Sequence, residues 1–301
     1  MSEARAADYQ PLRAARHDTL QIEGARLGVT RWGPVSRAPI VLLHGWMDVA
    51  DAWQLLVDAL PAEWSFAALD WRGYGNSDPR REGYAPAQYL SDLDAALPQL
   101  VPAGSVRLIG HSLGGTVASI YAGVRPEKLR WLVNIEGYGL PALEPATVPG
   151  RIAHWLDELR QPPQQRYYPG LDYLAGRVLH ANPGLGPLHA RFLAQVWSED
   201  TPQGLALRAD PAHRISGPMR FARAELEACW ARIAVPTLLL SGSDSAYMKH
   251  LGPGATPDQW PRLYPHARLH TLPGAGHLLH HEQPAATAQR IRDFVHSVEL
   301  P

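Results

Sequence analysis

Short apolar runs alternate with longer amphipathic stretches over much of this chain. Residues 40–43 (Ile40-Val41-Leu42-Leu43), 66–69 (Phe66-Ala67-Ala68-Leu69), 105–110, 131–135 and 235–241 are apolar almost throughout and are bounded by glycine, proline or polar clusters. Runs of that length read as strands buried on both faces. Between them lie helical patterns: the amphipathic segment Ala52–Leu60, the small-residue stretch Thr116–Ala122, and a terminal amphipathic helix from Pro284 to Val298. From about Ile40 to Glu136, strand and helix alternate, which predicts a parallel sheet with right-handed crossovers. Ahead of it, residues 19–32 alternate apolar and polar positions around Gly24, predicting a β-hairpin. The pattern breaks between Gly137 and about Ile233. That stretch is rich in Pro, Gly, Arg and aromatics, contains helical segments such as Arg151–Leu159, and offers no convincing strand. The sheet pattern then resumes at Val235. No internal repeat or low-complexity tract stands out.

Composition narrows the class. With 46% hydrophobic and 19% charged residues over 301 positions, the chain can bury a sizeable core and does not resemble a disordered sequence. A net charge of −1 gives no electrostatic reason to expect nucleic acid or an anionic membrane as partner. The single cysteine, Cys229, precludes an intrachain disulfide and reads as a small buried hydrophobe. No stretch is long and apolar enough for a membrane span, and Met1–Gln10 holds no signal-type apolar run, so a cytoplasmic protein is expected.

The most informative stretch is Gly110-His111-Ser112-Leu113-Gly114. It follows an apolar strand and opens a helix. A serine at so sharp a strand-to-helix turn needs glycines on either side for close backbone approach, and the turn lifts its hydroxyl above the sheet. The turn also sets the N–H of Leu113 at a helix N-terminus, where a negative oxygen is favoured. Elsewhere the chain carries His44-Gly45-Trp46 after the first buried strand, Asp70-Trp71-Arg72-Gly73-Tyr74-Gly75-Asn76-Ser77 after the next, and Gly276-His277 after the last.

These four motifs, in this order, resemble those of serine-type α/β-hydrolases over about residues 20–140 and 232–298. The resemblance implies an α/β-hydrolase fold, with a mostly parallel sheet of eight-stranded type flanked by helices. It implies a core of residues 1–137 and 233–301 with a helical lid, 138–232, inserted after the sixth strand. Ser112 would be the nucleophile and His277 its base, since a serine hydroxyl needs a base and the base an orienting carboxylate. His44 and His111 read as loop braces. His280 and His281 lie a turn beyond the base and are expected to point away from the sheet edge. Two acids are open. The commoner family position follows the strand ending at Gly242, but Gly242-Ser243-Asp244-Ser245 brings Asp244 one residue early and leaves Ser245 in the expected slot. The other, used by some haloalkane dehalogenases, is the end of the strand after the nucleophile, where Glu136 stands. The shifted spacing ranks Glu136 first and Asp244 as the alternative acid. Asp70 and Asp78 resemble structural turn aspartates. The backbone N–H groups of Trp46 and Leu113 would form the oxyanion hole, and the Trp46 ring either walls the acyl pocket or covers the core.

The expected activity is hydrolysis of a small to medium, partly apolar carboxylic ester or lactone through an acyl-serine. Haloperoxidase, carbon–carbon bond hydrolase and thioesterase chemistry use the same side chains on this fold, and a hydrolase-like ligand receptor with a vestigial site is a rival of another class. Dehalogenases and epoxide hydrolases need an aspartate where Ser112 stands. No cofactor is expected: there is no Gly-x-Gly-x-x-Gly after a strand. No metal is expected either, because there is no His-Glu-x-x-His and the adjacent His280 and His281 should face different ways.

Overall fold

The computed structural model describes residues 8–80, 83–252 and 259–299, so most of the N-terminal segment considered above for a targeting signal lies outside the described residues. The strands, in chain order, are β1 (Arg16–Ile22), β2 (Ala25–Trp32), β3 (Ile40–Leu43), β4 (Phe66–Leu69), β5 (Val106–His111), β6 (Leu129–Ile135), β7 (Tyr167–Tyr168), β8 (Ser198–Thr201), β9 (Gly204–Leu207), β10 (Thr237–Gly242) and β11 (Ala267–Leu272). Eight of them make one sheet in the order β1-β2-β4-β3-β5-β6-β10-β11. From β4 to β11 neighbouring strands are parallel, while β1–β2 and β2–β4 are antiparallel. The expected hairpin turns through Glu23 and Gly24, whose φ of +74° suits glycine.

The apolar runs are explained by the two layers they feed. In β3, Val41 and Leu43 join one buried cluster while Ile40 and Leu42 join another on the opposite face. The same alternation holds for Ala67 and Leu69 against Phe66 and Ala68, and for Leu239 against Leu238 and Leu240. With both faces covered, the two-residue period of a strand is invisible in the sequence. Helices α2 (Pro86–Leu100) and α3 (Leu113–Val124) cover the first face; α1 (Gln54–Ala59) and the terminal α11 (Pro284–Glu299) cover the second. Each valine, leucine, isoleucine or phenylalanine so buried contributes roughly 1.5–3 kcal/mol.

Residues 138–232 leave the sheet after β6 and return at β10. They hold α4 (Val148–Arg160), α5 (Leu171–Ala181), α6 (Pro187–Val196) and α7 (Arg223–Trp230). They also hold a three-stranded antiparallel sheet, β7-β9-β8, where the sequence suggested no strand. The correction has a physical cause. β8 reads Ser198-Glu199-Asp200-Thr201, of which only Thr is a good strand former, so tertiary docking overrides propensity. Its turn is held by Gly204 at φ +120° and by the Thr201 hydroxyl donating to the Gly204 carbonyl at 2.6 Å. A bridge between Tyr74 and Ala209 carries this small sheet onto the core.

The inserted residues rest on loops that follow the C-terminal ends of the sheet strands. Trp46 Nε1 donates to the His213 carbonyl (3.0 Å), Trp197 Nε1 to Asp48 Oδ1 (2.6 Å) and the Gly75 N–H to the Arg208 carbonyl (2.9 Å). His213 is clamped between Tyr84 and Tyr74, with ring centroids 3.6 and 3.8 Å away, and burial pushes its pKa down to about 3. Among the described residues, no helix is long and apolar enough to cross a membrane. The remaining short helices are α8 (Ala246–His250), α9 (Trp260–Leu263) and α10 (Leu279–Glu282).

Gly123 shows how tightly α7 closes onto α3. A Cβ there would overlap the Cys229 carbonyl, a backbone atom that cannot rotate away. Alanine would gain about 1 kcal/mol of helix propensity, but overpacking of this kind costs about 1–3 kcal/mol. Gly123→Ala is therefore expected to lower the thermal midpoint. A midpoint equal to or above that of the parent would contradict this packing.

Candidate active site

Loops at the C-terminal edge of the sheet build the site, and three of them contain a strained residue. Met47, Ser112 and Glu136 are the described non-glycine residues with positive φ (59°, 52° and 49°), and they follow β3, β5 and β6. Such backbone costs about 1–3 kcal/mol per residue and persists only where its surroundings enforce it. At Ser112 the enforcement is local. A Cβ on Gly114 would overlap the Leu43 carbonyl, one on Gly110 would press on the Gly114 backbone, and the Ser112 N–H donates to the Ile135 carbonyl at 2.9 Å. The two glycines thus let α3 start directly off the end of β5.

The Ser112 hydroxyl lies 3.0 Å from His277 Nε2, and His277 Nδ1 lies 2.6 Å from Glu136 Oε2. The carboxylate is wholly buried. Its Oε1 accepts the Gly242 N–H at 2.7 Å, and its Oε2 also accepts the Ser245 hydroxyl at 2.6 Å. An acceptor-only carboxylate fixes the imidazole tautomer: Nδ1 carries the proton and Nε2 is left to accept from the serine. Adjacent strands make this possible. β6 pairs with β10, and the Glu136 N–H continues that ladder to the Leu240 carbonyl at 3.0 Å, aiming its side chain at the loop after β10.

His277 is braced from two sides. His111 Nε2 donates to its carbonyl at 2.9 Å, and the Tyr247 ring lies 4.5 Å from its own, centroid to centroid. Tyr247 in turn donates to the Gly139 carbonyl (2.6 Å) and accepts the Tyr138 N–H (3.0 Å), tying α8 to the loop after Glu136.

Other residues singled out in the sequence lie as follows. Asp244 is exposed and accepts from Ser243 Oγ at 2.8 Å, with no contact to His277. His44 braces its loop as expected: Nδ1 donates to the Gly45 carbonyl (2.8 Å) and Nε2 accepts the Trp71 N–H (3.1 Å). Burial lowers the pKa of His44 and lowers that of His111 further. Asp70 accepts the N–H groups of Ala50 (2.7 Å) and Asn76 (3.0 Å), and burial pushes it up to about 7. Asp78 pairs with Arg26 at 3.0 Å. The Trp46 side chain is 57% exposed, so it does not cover the core. The N–H groups of Trp46 and Leu113 donate to no carbonyl in their own turns. Cys229 is half-buried against the α3 side of the core.

Two features were not anticipated. Ser245, in the slot where an acid was expected, points inward and holds Glu136; its position one residue past Asp244 was the available signal. His280 and His281, expected to face different ways, instead converge. Both are fully buried, their ring centroids are 3.8 Å apart, and His280 lies 4.2 Å from His111. The reason is that α10 is a single turn buried between the core and the inserted residues, so side chains about 100° apart both find interior. Burial, and then the neighbouring imidazoles, push His280 well below its ordinary pKa.

An eight-stranded sheet of this order, with a strained serine after β5 and a histidine after β11, defines the class. Residues 38–284 match the model of the α/β hydrolase fold, and the chain belongs to that family. A serine hydrolase-like protein of Danio rerio is 34% identical over 42% of this chain, though the match covers only 39% of that relative. The 2-(acetamidomethylene)succinate hydrolase of Mesorhizobium japonicum is 26% identical over 85% of this chain and 88% of its own length. Among solved structures, a thioesterase domain from the curacin biosynthetic pathway superposes with a TM-score of 0.82 at 27% identity, covering 93% of this chain and 99% of that domain.

The neighbours Asp244 and Ser245 provide a structural check. Ser245→Ala removes the hydroxyl that donates to Glu136 and that accepts the Met248 N–H at the start of α8. Loss of a cap (~1 kcal/mol) and of a bond to a charged group (~1.5–3 kcal/mol) should lower stability by about 2 kcal/mol or more. Asp244→Ala should stay within about 0.5 kcal/mol. Denaturant titrations giving equal effects would contradict the inward placement of Ser245.

Proposed function

We propose that this protein is a serine hydrolase that cleaves a carboxylic ester through an acyl-serine intermediate. The observation that carries the reading is the continuous chain of hydrogen bonds from the Ser112 hydroxyl through His277 to the buried Glu136. Ser112 Oγ attacks the substrate carbonyl as its proton passes to His277 Nε2. Glu136 stabilises the imidazolium that results. The carbonyl oxygen becomes an alkoxide, held by the N–H groups of Trp46 and Leu113; each such donor is worth roughly 3–4 kcal/mol of barrier. Collapse expels the alcohol, which takes the proton from His277. A water, deprotonated by the same imidazole, then releases the acid and restores Ser112.

Residues 1–137 and 233–301 act as the catalytic core in this reading, and 138–232 as a lid. The lid proposal is supported by the docking of the inserted residues on the loops of the catalytic edge. A thioester is the second reading, supported by the 27% identity to the curacin thioesterase domain along nearly its whole length. The chemistry at Ser112 would be unchanged except that a thiolate leaves.

A fluorophosphonate should label Ser112 alone, and Ser112→Ala should lose on the order of 10⁶ in kcat toward p-nitrophenyl esters. Turnover by the alanine variant within about tenfold of the parent would refute the nucleophile. A single slow acylation without turnover would favour a ligand receptor. A panel of acyl esters and acyl thioesters matched in chain length separates the two substrate readings by their kcat/KM.

Glu136→Gln removes the charge that stabilises the imidazolium, and the comparable change in serine proteases costs ~10⁴ in kcat. Asp244→Asn should cost little. The reverse ranking would return the acid role to the loop after β10.

A further inference from the structure

Behind the catalytic edge, Asp48, His280 and His281 bring one carboxylate oxygen and two imidazole nitrogens within 4.8 Å of one another, all of them buried. We propose that these three side chains form a binding site for a divalent first-row transition metal of the zinc type, one that ties the segment after β3 to α10.

The first argument is an unpaired donor set. Neither ring nitrogen of His280 has a hydrogen-bond partner among the described residues, although the side chain is fully buried, and His281 Nδ1 also lacks one there. A buried polar group left unpaired costs about 1–3 kcal/mol, and a neutral imidazole in that state is a ready ligand. The second argument is spacing. His281 Nε2 stands 3.4 Å from Asp48 Oδ2, long for a hydrogen bond between these groups. Two ligands at the ~2.0–2.1 Å of zinc coordination lie about 3.3 Å apart along a tetrahedral edge. The third is support for the ligands. Asp48 Oδ1 already accepts from Trp197 Nε1 (2.6 Å) and the Val49 N–H (2.8 Å), which turns Oδ2 toward the histidines. Outer contacts of this kind orient a ligating carboxylate. The backbone of His281 is fixed separately, its carbonyl held by His189 Nδ1 at 2.8 Å.

Two imidazoles and one carboxylate suit zinc and its neighbours rather than calcium or magnesium, which take oxygen ligands. Asp48 and the two histidines all belong to the core, with Trp197 and His189 of the inserted residues bonded to them from outside. An ion there would fix two core segments against one another without touching Ser112.

The test uses the full chain, stripped of metal by unfolding and refolding with a chelator, and titrated with Co²⁺. One equivalent is expected to give the visible absorption of tetrahedral Co²⁺, and Zn²⁺ should displace it and raise the thermal midpoint. Asp48→Asn keeps an acceptor for Trp197 and Val49 but removes the anionic ligand. It should weaken binding by more than the ~10–100-fold typical of losing an outer hydrogen bond. His280→Phe, which fills the space beside Trp53, should do the same, and Ser112→Ala should bind as the parent does. Circular dichroism confirms that each variant folds; if His280→Phe does not, Asp48→Asn decides. No tetrahedral spectrum in the parent, or equal affinity in Asp48→Asn, would overturn the site; the latter would assign the ion to surface histidines.

Discussion

The buried carboxylate of Glu136 is the group on which the loops at the C-terminal edge of the sheet depend. A charge taken out of water needs dense compensation, and Glu136 receives it from the Gly242 N–H, the Ser245 hydroxyl and His277 Nδ1. The donors come from the last residue of β10, from the loop after it and from the loop after β11. The carboxylate therefore organises these loops, and it selects the imidazole tautomer at the same time. A side chain that only carried charge at the surface would do neither.

That arrangement explains where strain is tolerated. Positive φ at Glu136 and Ser112 is opposed by no glycine at either position, yet both lie one residue beyond adjacent parallel strands whose ladders fix them. The sheet supplies rigidity from its two covered faces, and the loops supply chemistry. The inserted residues anchor on those loops through Trp46, Asp48 and Gly75, and α7 adds Leu226 and Trp230 to the core cluster beside α3.

The sheet was largely legible in the sequence because strands buried on both faces leave unbroken apolar runs, as in Ile40–Leu43 and Thr237–Gly242. The elbow at Ser112 was legible because close backbone approach demands glycine at Gly110 and Gly114. The aspartate that the shifted spacing after Gly242 brings one residue early, Asp244, is turned to solvent, and His277 contacts Glu136 instead. What escaped was set by tertiary contact. β8 is a poor strand by composition and exists through docking. His280 and His281 are adjacent, and only the burial of α10 on both sides brings their rings together. The orientation of the Trp46 indole, which donates to the His213 carbonyl 167 positions away, was likewise invisible in the sequence.

The central claim is that Glu136 holds the Nδ1 proton of His277. Proton NMR of the resting protein tests it directly, since a ring N–H shared with a buried carboxylate at 2.6 Å resonates far downfield and exchanges slowly. The account predicts one such resonance that is present in Asp244→Asn and lost or moved far upfield in Glu136→Gln. A resonance that survives in Glu136→Gln, or disappears in Asp244→Asn, would contradict it.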